Sequence, residues 1–326
     1  MVNFDDSTPE LRDFLTYLEV IKGKSTNTVN AYYYDLRLFY RYVKIKNSSN
    51  KITFDEIDNL EISDVPFDWI KKVRLTDLYD FMNYVNRSRS NSSSARARKV
   101  SCLKTYFKYL ANKAELIDID PTVELDAPKI SKKLPRYLDL DSSVKLLNAA
   151  EKLNPRDFCI LTILLNCGLR VSELVGINLT DIQDNTLRVT GKGDKERQVY
   201  LNDACISAID DYKKVRPKAK PSSSNALFLN KNNERIGVRG VQMLVKKYLL
   251  IAGLDYNSYS THKLRHTAAT LMYKYGKVDV LVLQQILGHT NLSTTQIYTH
   301  TDNKQTENAL KSNPLANYSE DKNKQN

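Results

Sequence analysis

All four histidines of this chain fall in one short stretch, at positions 262, 266, 289 and 300. His262 and Arg265 are three residues apart in a helical pattern, so they share one face. His289 follows Gly288 at the end of another helical pattern, and Tyr298 comes nine residues later. Far upstream, Arg170 and Glu173 sit in Gly168-Leu169-Arg170-Val171-Ser172-Glu173-Leu174, and Lys192 sits in Gly191-Lys192-Gly193. Forked guanidinium groups, imidazoles, an ammonium on a glycine-rich turn and a phenol suit chemistry on a phosphodiester. That anion repels nucleophiles. Two arginines on its non-bridging oxygens would stabilise the charge that builds in the transition state, and a hydroxyl can attack to form a covalent intermediate.

Each of these groups has a plainer meaning when taken singly. An arginine after Gly-Leu is commonly a surface or salt-bridged residue, Gly-Lys-Gly is commonly a turn, and Tyr298 is one of 20 tyrosines. Tyr32, Tyr33 and Tyr34 read as core and interface. The spacing of His262 and His266 raises a metal pair, but Lys263 stands where a zinc protease motif has its glutamate. No metal is therefore expected, and His266 and His300 read as packing or supporting residues. No Gly-x-x-x-x-Gly-Lys-Ser/Thr phosphate loop occurs, so no nucleotide cofactor is expected either.

The charge balance points to a polyanion. The 326 residues carry 49 basic and 38 acidic side chains, a net charge of +11. Residues 1–125 hold 19 basic and 18 acidic groups, whereas residues 126–326 hold 30 and 20, so most of the excess lies in the second part. Within the first part, eight basic residues and no acid run from Arg87 to Lys113, while Asp55 to Asp80 is acidic. A basic band on one domain joined to a basic second domain fits nucleic acid held between them; a solvated surface is the simpler alternative. The composition, 41% apolar and 27% charged, is that of a folded globular protein rather than a disordered one. The N-terminus lacks the pattern of a secretory signal, no apolar run reaches membrane-spanning length, and the four cysteines have no Cys-x-x-Cys spacing. A cytoplasmic protein with reduced core thiols, away from the membrane, is expected.

Helical periodicity organises the first part. Thr8-Pro9 reads as a cap and first helical residue, followed by Leu11, Phe14, Leu15 and Leu18, and Gly23 stops the run. Ser25 precedes a helix with Val29, Tyr32, Leu36, Phe39 and Val43; Thr53 and Glu56 fit a capping box; Leu78, Phe81, Met82 and Val85 mark another helix. Asn86 to Ser94 reads as a loop. The helix after it has Val100, Leu103, Phe107 and Leu110 inside, with Arg96, Lys99, Lys104 and Lys108 outside. Residues 126–135, with two prolines and three lysines that include Lys132 and Lys133, read as a basic linker. In the second part, Phe158 to Leu165 reads as a buried helix and Leu187 to Leu201 as a β-hairpin around the Gly-Lys-Gly turn. Ala226 to Leu229 reads as a short strand, with helices near Val241–Leu250, Lys263–Lys274, Val280–Leu287 and Thr294–Thr299. Asp302 to Leu315 is a weakly apolar segment suited to docking on a partner, and residues 316–326 form a flexible polar tail.

Taken together and in order, Gly-Leu-Arg-x-x-Glu at 168–173, Lys192, His262-x-x-Arg265, Leu287-Gly288-His289 and Tyr298 resemble the tyrosine site-specific recombinases, the family of phage integrases, Cre and the Xer proteins. The resemblance covers most of the chain and is weakest between about Lys46 and Asp77. It implies two domains: an all-α DNA-clamping (SAM-like core-binding) domain over 1–125, then, after the 126–135 linker, a mixed α/β, mainly helical catalytic domain over 136–315. Arg170 and Arg265 would hold the phosphate, His289 would donate a further hydrogen bond to it, and Tyr298 would attack to form a 3′-phosphotyrosyl bond. His262 would be the base, Lys192 would protonate the leaving 5′-oxygen, and Glu173 would orient the site. Arg96, Arg98, Lys99, Lys132, Lys133, Lys195 and Arg197 are the candidate DNA contacts. The partners implied are a double-stranded recombination site and a homo-tetramer on two such sites, or a hetero-tetramer with a second recombinase. A Xer-type role in resolving chromosome dimers is the expected function, because no extra arm-binding domain precedes the helical one. A mobile-element integrase or inversion recombinase, a type IB topoisomerase, and a non-catalytic DNA-binding protein are the alternatives, in falling order.

Overall fold

A computed structural model describes residues 4–48, 53–129, 136–191, 196–276 and 278–288. They form a mainly helical protein with one small sheet, in two compact units that lie within residues 1–132 and 133–326.

The first unit contains α1 (Pro9–Thr16), α2 (Thr26–Asn47), α3 (Phe67–Lys71), α4 (Leu75–Arg87) and α5 (Ser93–Asn112). The Thr8 hydroxyl accepts the Leu11 N–H at 3.4 Å, and Pro9 takes the first helical position, where its missing N–H costs nothing. Thr53 and Glu56 make the expected capping box, which opens a 3₁₀ turn over Phe54–Asn59. Ser25 precedes α2, but its hydroxyl meets Thr28 Oγ1 at 3.0 Å rather than a backbone N–H. Leu11, Phe14, Leu36, Phe39, Phe81, Leu103, Phe107 and Leu110 share one core. The loop expected over Asn86–Ser94 is shorter, because α4 continues to Arg87 and the Ser92 hydroxyl already caps α5 through the Ala95 N–H.

Lys99 departs from its expected outward position. It is only 6% exposed, because Asp35 of α2, 4% exposed, lies opposite it. The Lys99 ammonium and the Arg98 guanidinium both bond the Asp35 carboxylate. A buried carboxylate without a partner is far costlier than one closed into an ion pair, so pairing overrides the helical-face pattern. Tyr33 is buried, whereas Tyr34 is exposed.

The second unit contains α6 (Leu140–Glu151), α7 (Pro155–Cys167), α8 (Val171–Gly176), β1 (Ile182–Gln183), β2 (Thr186–Thr190) and β3 (Glu196–Tyr200). After these come α9 (Asp203–Val215), α10 (Val238–Ile251), α11 (Thr261–Lys274) and α12 (Val280–Leu287). Helix α7 is apolar on nearly every side and packs against α6, α9 and α11, which makes it the centre of this core. The strands form an antiparallel sheet in the order β1-β2-β3. Leu187 faces Val199 and Val189 faces Arg197, and the register closes at Thr190 opposite Glu196.

Ala226–Leu229 is not a strand. The Leu227 N–H bonds the Ile177 carbonyl at 2.9 Å, while the Phe228 carbonyl accepts from the Ile236 N–H at 3.0 Å. The segment is thus pinned by two different loops and forms single bridges, not a ladder. All four cysteines are free and buried. Among the described residues no helix is long and apolar enough to cross a membrane. The helix expected at Thr294–Thr299, the 302–315 segment and the 316–326 tail lie outside the described residues.

Candidate active site

Helix α7 ends at Gly168, whose φ of +60° is the left-handed conformation that glycine adopts without penalty. A Cβ added there would lie 2.9 Å from Leu287 Cδ2 and 3.4 Å from Ala268 Cβ, so α11 and α12 close directly onto this turn. Gly168→Ala is therefore expected to destabilise the second unit by about 2–4 kcal/mol, combining left-handed strain with overpacking. Heat denaturation checks this; an unchanged midpoint would mean that Leu287 gives way at no cost.

Two residues on, Arg170 is the N-cap of α8, and Glu173 accepts the Arg170 N–H at 2.8 Å, filling one orphan donor of the helix start. The Glu173 side chain is 1% exposed and is the meeting point of three guanidinium groups. Arg170 Nη1 donates to its Oε1 at 2.7 Å. Arg197 forks across both oxygens, Nη1 to Oε1 at 2.8 Å and Nη2 to Oε2 at 3.2 Å. Arg265 Nη1 stands 3.7 Å from Oε2 and donates instead to the Gly168 carbonyl at 2.8 Å. Burial pushes the Glu173 carboxyl up, but hydrogen bonds from Arg197 and Arg170 override it and hold the group below its ordinary range.

The same three arginines cap the C-terminus of α12. Arg197 Nε donates to the Ile286 carbonyl at 3.4 Å, Arg265 Nη2 to the Leu287 carbonyl, and Arg170 Nη2 to the Gly288 carbonyl at 3.2 Å. The last carbonyls of a helix have no partner within it, and they form the negative end of its dipole. One carboxylate and one helix end thus gather three cations beside the residue that precedes His289. The surplus positive charge is what an anion would meet.

On α11, His262 and His266 stand one turn apart with Nε2 atoms 3.1 Å from each other and rings in edge contact. Partial desolvation, then the charges of Arg265 and Arg170, hold His262 below its ordinary value of 6.5. Partial desolvation, His262, Arg265 and Lys263 lower His266 to about 4. Both imidazoles are neutral at pH 7, so one donates to the other. Unfolding releases histidines that bind protons more readily. Stability is therefore expected to be full above pH 6.5 and to fall as pH drops towards 4. His266→Gln should flatten the thermal midpoint between pH 6.5 and 4.5, a window above the Glu173 titration; an equally steep slope would place the titration elsewhere.

The structure thus brings together Arg170, Glu173, Arg265 and His262, and adds Arg197. Arg197 was expected among the DNA contacts, but its guanidinium faces inward at 17% side-chain exposure. The signal for this was strand alternation, since Arg197 lies on the same face as buried Val199. In the first unit, Arg98 pairs with Asp35 while remaining 45% exposed, and Arg96 is half-buried with Nη2 on Ser93 Oγ at 3.3 Å. Lys132, Lys133, Lys192, Lys195, His289 and Tyr298 lie outside the described residues. No group of three metal-ligating side chains occurs among the described residues.

Residues 136–305 match the profile of the phage integrase family. A tyrosine recombinase XerC from Caldanaerobacter subterraneus subsp. tengcongensis is 53% identical over 311 residues, spanning 94% of this chain and 87% of that protein. A tyrosine recombinase XerD from Proteus mirabilis is 33% identical over 305 residues, spanning 91% and 90%. The crystal structure of XerH site-specific recombinase bound to difH substrate, a pre-cleavage complex, superposes with a TM-score of 0.67 at 23% identity. It covers 92% of this chain and 82% of that one, a likeness of fold.

Proposed function

The chain belongs to the phage integrase family of tyrosine recombinases, and from that membership we propose how its residues divide the work of Xer-type DNA cleavage and rejoining. Arg170 and Arg265 bind the non-bridging oxygens of the scissile phosphate, and His289 adds a hydrogen bond. Tyr298 attacks phosphorus, giving its proton to His262. The bond to the 5′-oxygen breaks, Lys192 protonates that oxygen, and a 3′-phosphotyrosyl bond holds the strand. A 5′-hydroxyl from another strand then attacks the phosphotyrosyl phosphorus and restores both the phosphodiester and the tyrosine. The covalent bond conserves the energy of the broken one, so the scheme needs neither metal nor ATP.

The observation that best supports this reading is the cluster of Arg170, Arg197 and Arg265 around Glu173 at the C-terminus of α12, directly before His289. The unit within residues 1–132 serves as the DNA clamp, and the second unit carries the chemistry. Four copies act on two DNA sites, as a homo-tetramer or with a second recombinase, in the cytoplasm. The biological task is resolution of chromosome dimers. Covalent trapping of the protein on DNA in cells, followed by sequencing of the attached ends, tests this. Attachment at one locus near the replication terminus is expected; attachment at the ends of mobile elements would replace dimer resolution with integration, and no attachment would remove the chemistry.

Lys192→Ala should abolish cleavage of normal DNA yet cleave a duplex whose scissile 5′-oxygen is replaced by sulfur. A thiolate leaves without an acid, because a thiol is far more acidic than an alcohol. If the sulfur substrate restores nothing, Lys192 is not the proton donor.

A further inference from the structure

We propose that Arg197 is a positioning residue of the reaction: by forking onto Glu173 it keeps that carboxylate from drawing Arg265 off the phosphate. The inference rests on the assignment of Arg170 and Arg265 as phosphate ligands. Its basis is the geometry around one buried carboxylate. Arg197 bonds both Glu173 oxygens, at 2.8 and 3.2 Å, whereas Arg265 stays at 3.7 Å from the nearer one. A carboxylate inside protein needs its lone pairs filled. With Arg197 gone, Oε2 keeps, among the described residues, the Arg170 N–H as its close donor, and Arg265, at 3.7 Å, is the next described cation in reach. Closing that gap would pull the Arg265 fork from the Gly168 and Leu287 carbonyls that aim it.

Arg197 is also wedged in place. A Cβ on Gly288 would lie 3.1 Å from both its Cδ and its Nε, so the left-handed turn before position 289 rests on its side chain. Both of its terminal nitrogens donate to Glu173 and its Nε to the Ile286 carbonyl, so the guanidinium is held against Glu173 and the end of α12. The residue therefore links β3 to the arginines at α8 and α11.

The test is single-turnover adduct formation by the full chain on a nicked duplex carrying the trapped site. Arg197→Met is expected to slow adduct formation by about tenfold or more, with duplex affinity and its salt slope nearly unchanged. In the Glu173→Gln background the same substitution should cost less than about threefold, since the charge it balances is gone. Arg197→Lys, which restores charge without the fork, should recover part of the rate. Equal losses in both backgrounds would overturn the proposal. So would weaker binding with a salt slope reduced by about 0.9 and normal cleavage of bound duplex, the signature of a phosphate contact. If heat denaturation shows Arg197→Met unfolded, Arg197→Lys is compared across the two backgrounds with the same criteria. A wild-type protein that forms no adduct would defeat the phosphate-ligand reading; a normal wild type with an undiminished Arg197→Met would defeat this inference alone.

Discussion

Tyr298→Phe is expected to bind DNA with normal affinity and to form no denaturant-resistant protein–DNA adduct. The substitution removes one oxygen and leaves the ring, so shape and charge at the DNA surface are preserved. A phenol has an ordinary pKa of about 10 and must lose its proton as it attacks, and phenylalanine has neither the proton nor the lone pair. The loss is accordingly complete, not graded. Electrophoresis in detergent after incubation with a nicked duplex reads it directly. An adduct in this variant would mean that another of the 20 tyrosines attacks, and peptide mapping of the adduct would then identify it.

Arg265→Ala should cut the rate of adduct formation by about 10²–10³, the loss found when one donor to a developing oxyanion is removed. It should also destabilise the fold, which sets it apart from Arg170→Ala. The Arg265 side chain is 3% exposed, and its removal leaves the Gly168 and Leu287 carbonyls without their donor; unsatisfied buried acceptors cost about 1–3 kcal/mol each. Arg170 is 37% exposed at its side chain, so its loss should fall mainly on the chemistry. Arg265→Ala is therefore expected to lower both the cleavage rate and the thermal midpoint, and Arg170→Ala chiefly the rate. Arg265→Lys keeps the charge but cannot reach two carbonyls in a fork, so it should recover little. Near-normal cleavage by either alanine variant in the folded state would remove that arginine from the phosphate site.

Some of this was legible in the order of residues alone. Local patterns decide what they encode: Thr8-Pro9 and Thr53-x-x-Glu56 became caps, the apolar run after Phe158 became a buried helix, and Leu187 to Leu201 became a hairpin. These features depend on neighbours within a few residues, where spacing fixes geometry. The same holds for Arg170 with Glu173 and for His262 with Arg265, each pair separated by one helical turn. The family motifs, read in order, led to the recombinase class that the relatives share.

What only the tertiary structure decided concerns charges that meet across long stretches of chain. Periodicity put Lys99 on the wet face of α5, but buried Asp35, on another helix, drew it inward. Composition shows Arg197 only as one more cation, whereas in the fold it pairs with Glu173 and the end of α12. No spacing rule contains such a choice. A basic side chain goes to whichever unpaired carboxylate or carbonyl the fold leaves within reach, because leaving that group buried alone would cost more than giving up contact with water. The sequence determined which residues could do the chemistry; the closing of α7, α11 and α12 around Gly168 determined which arginines face one another there.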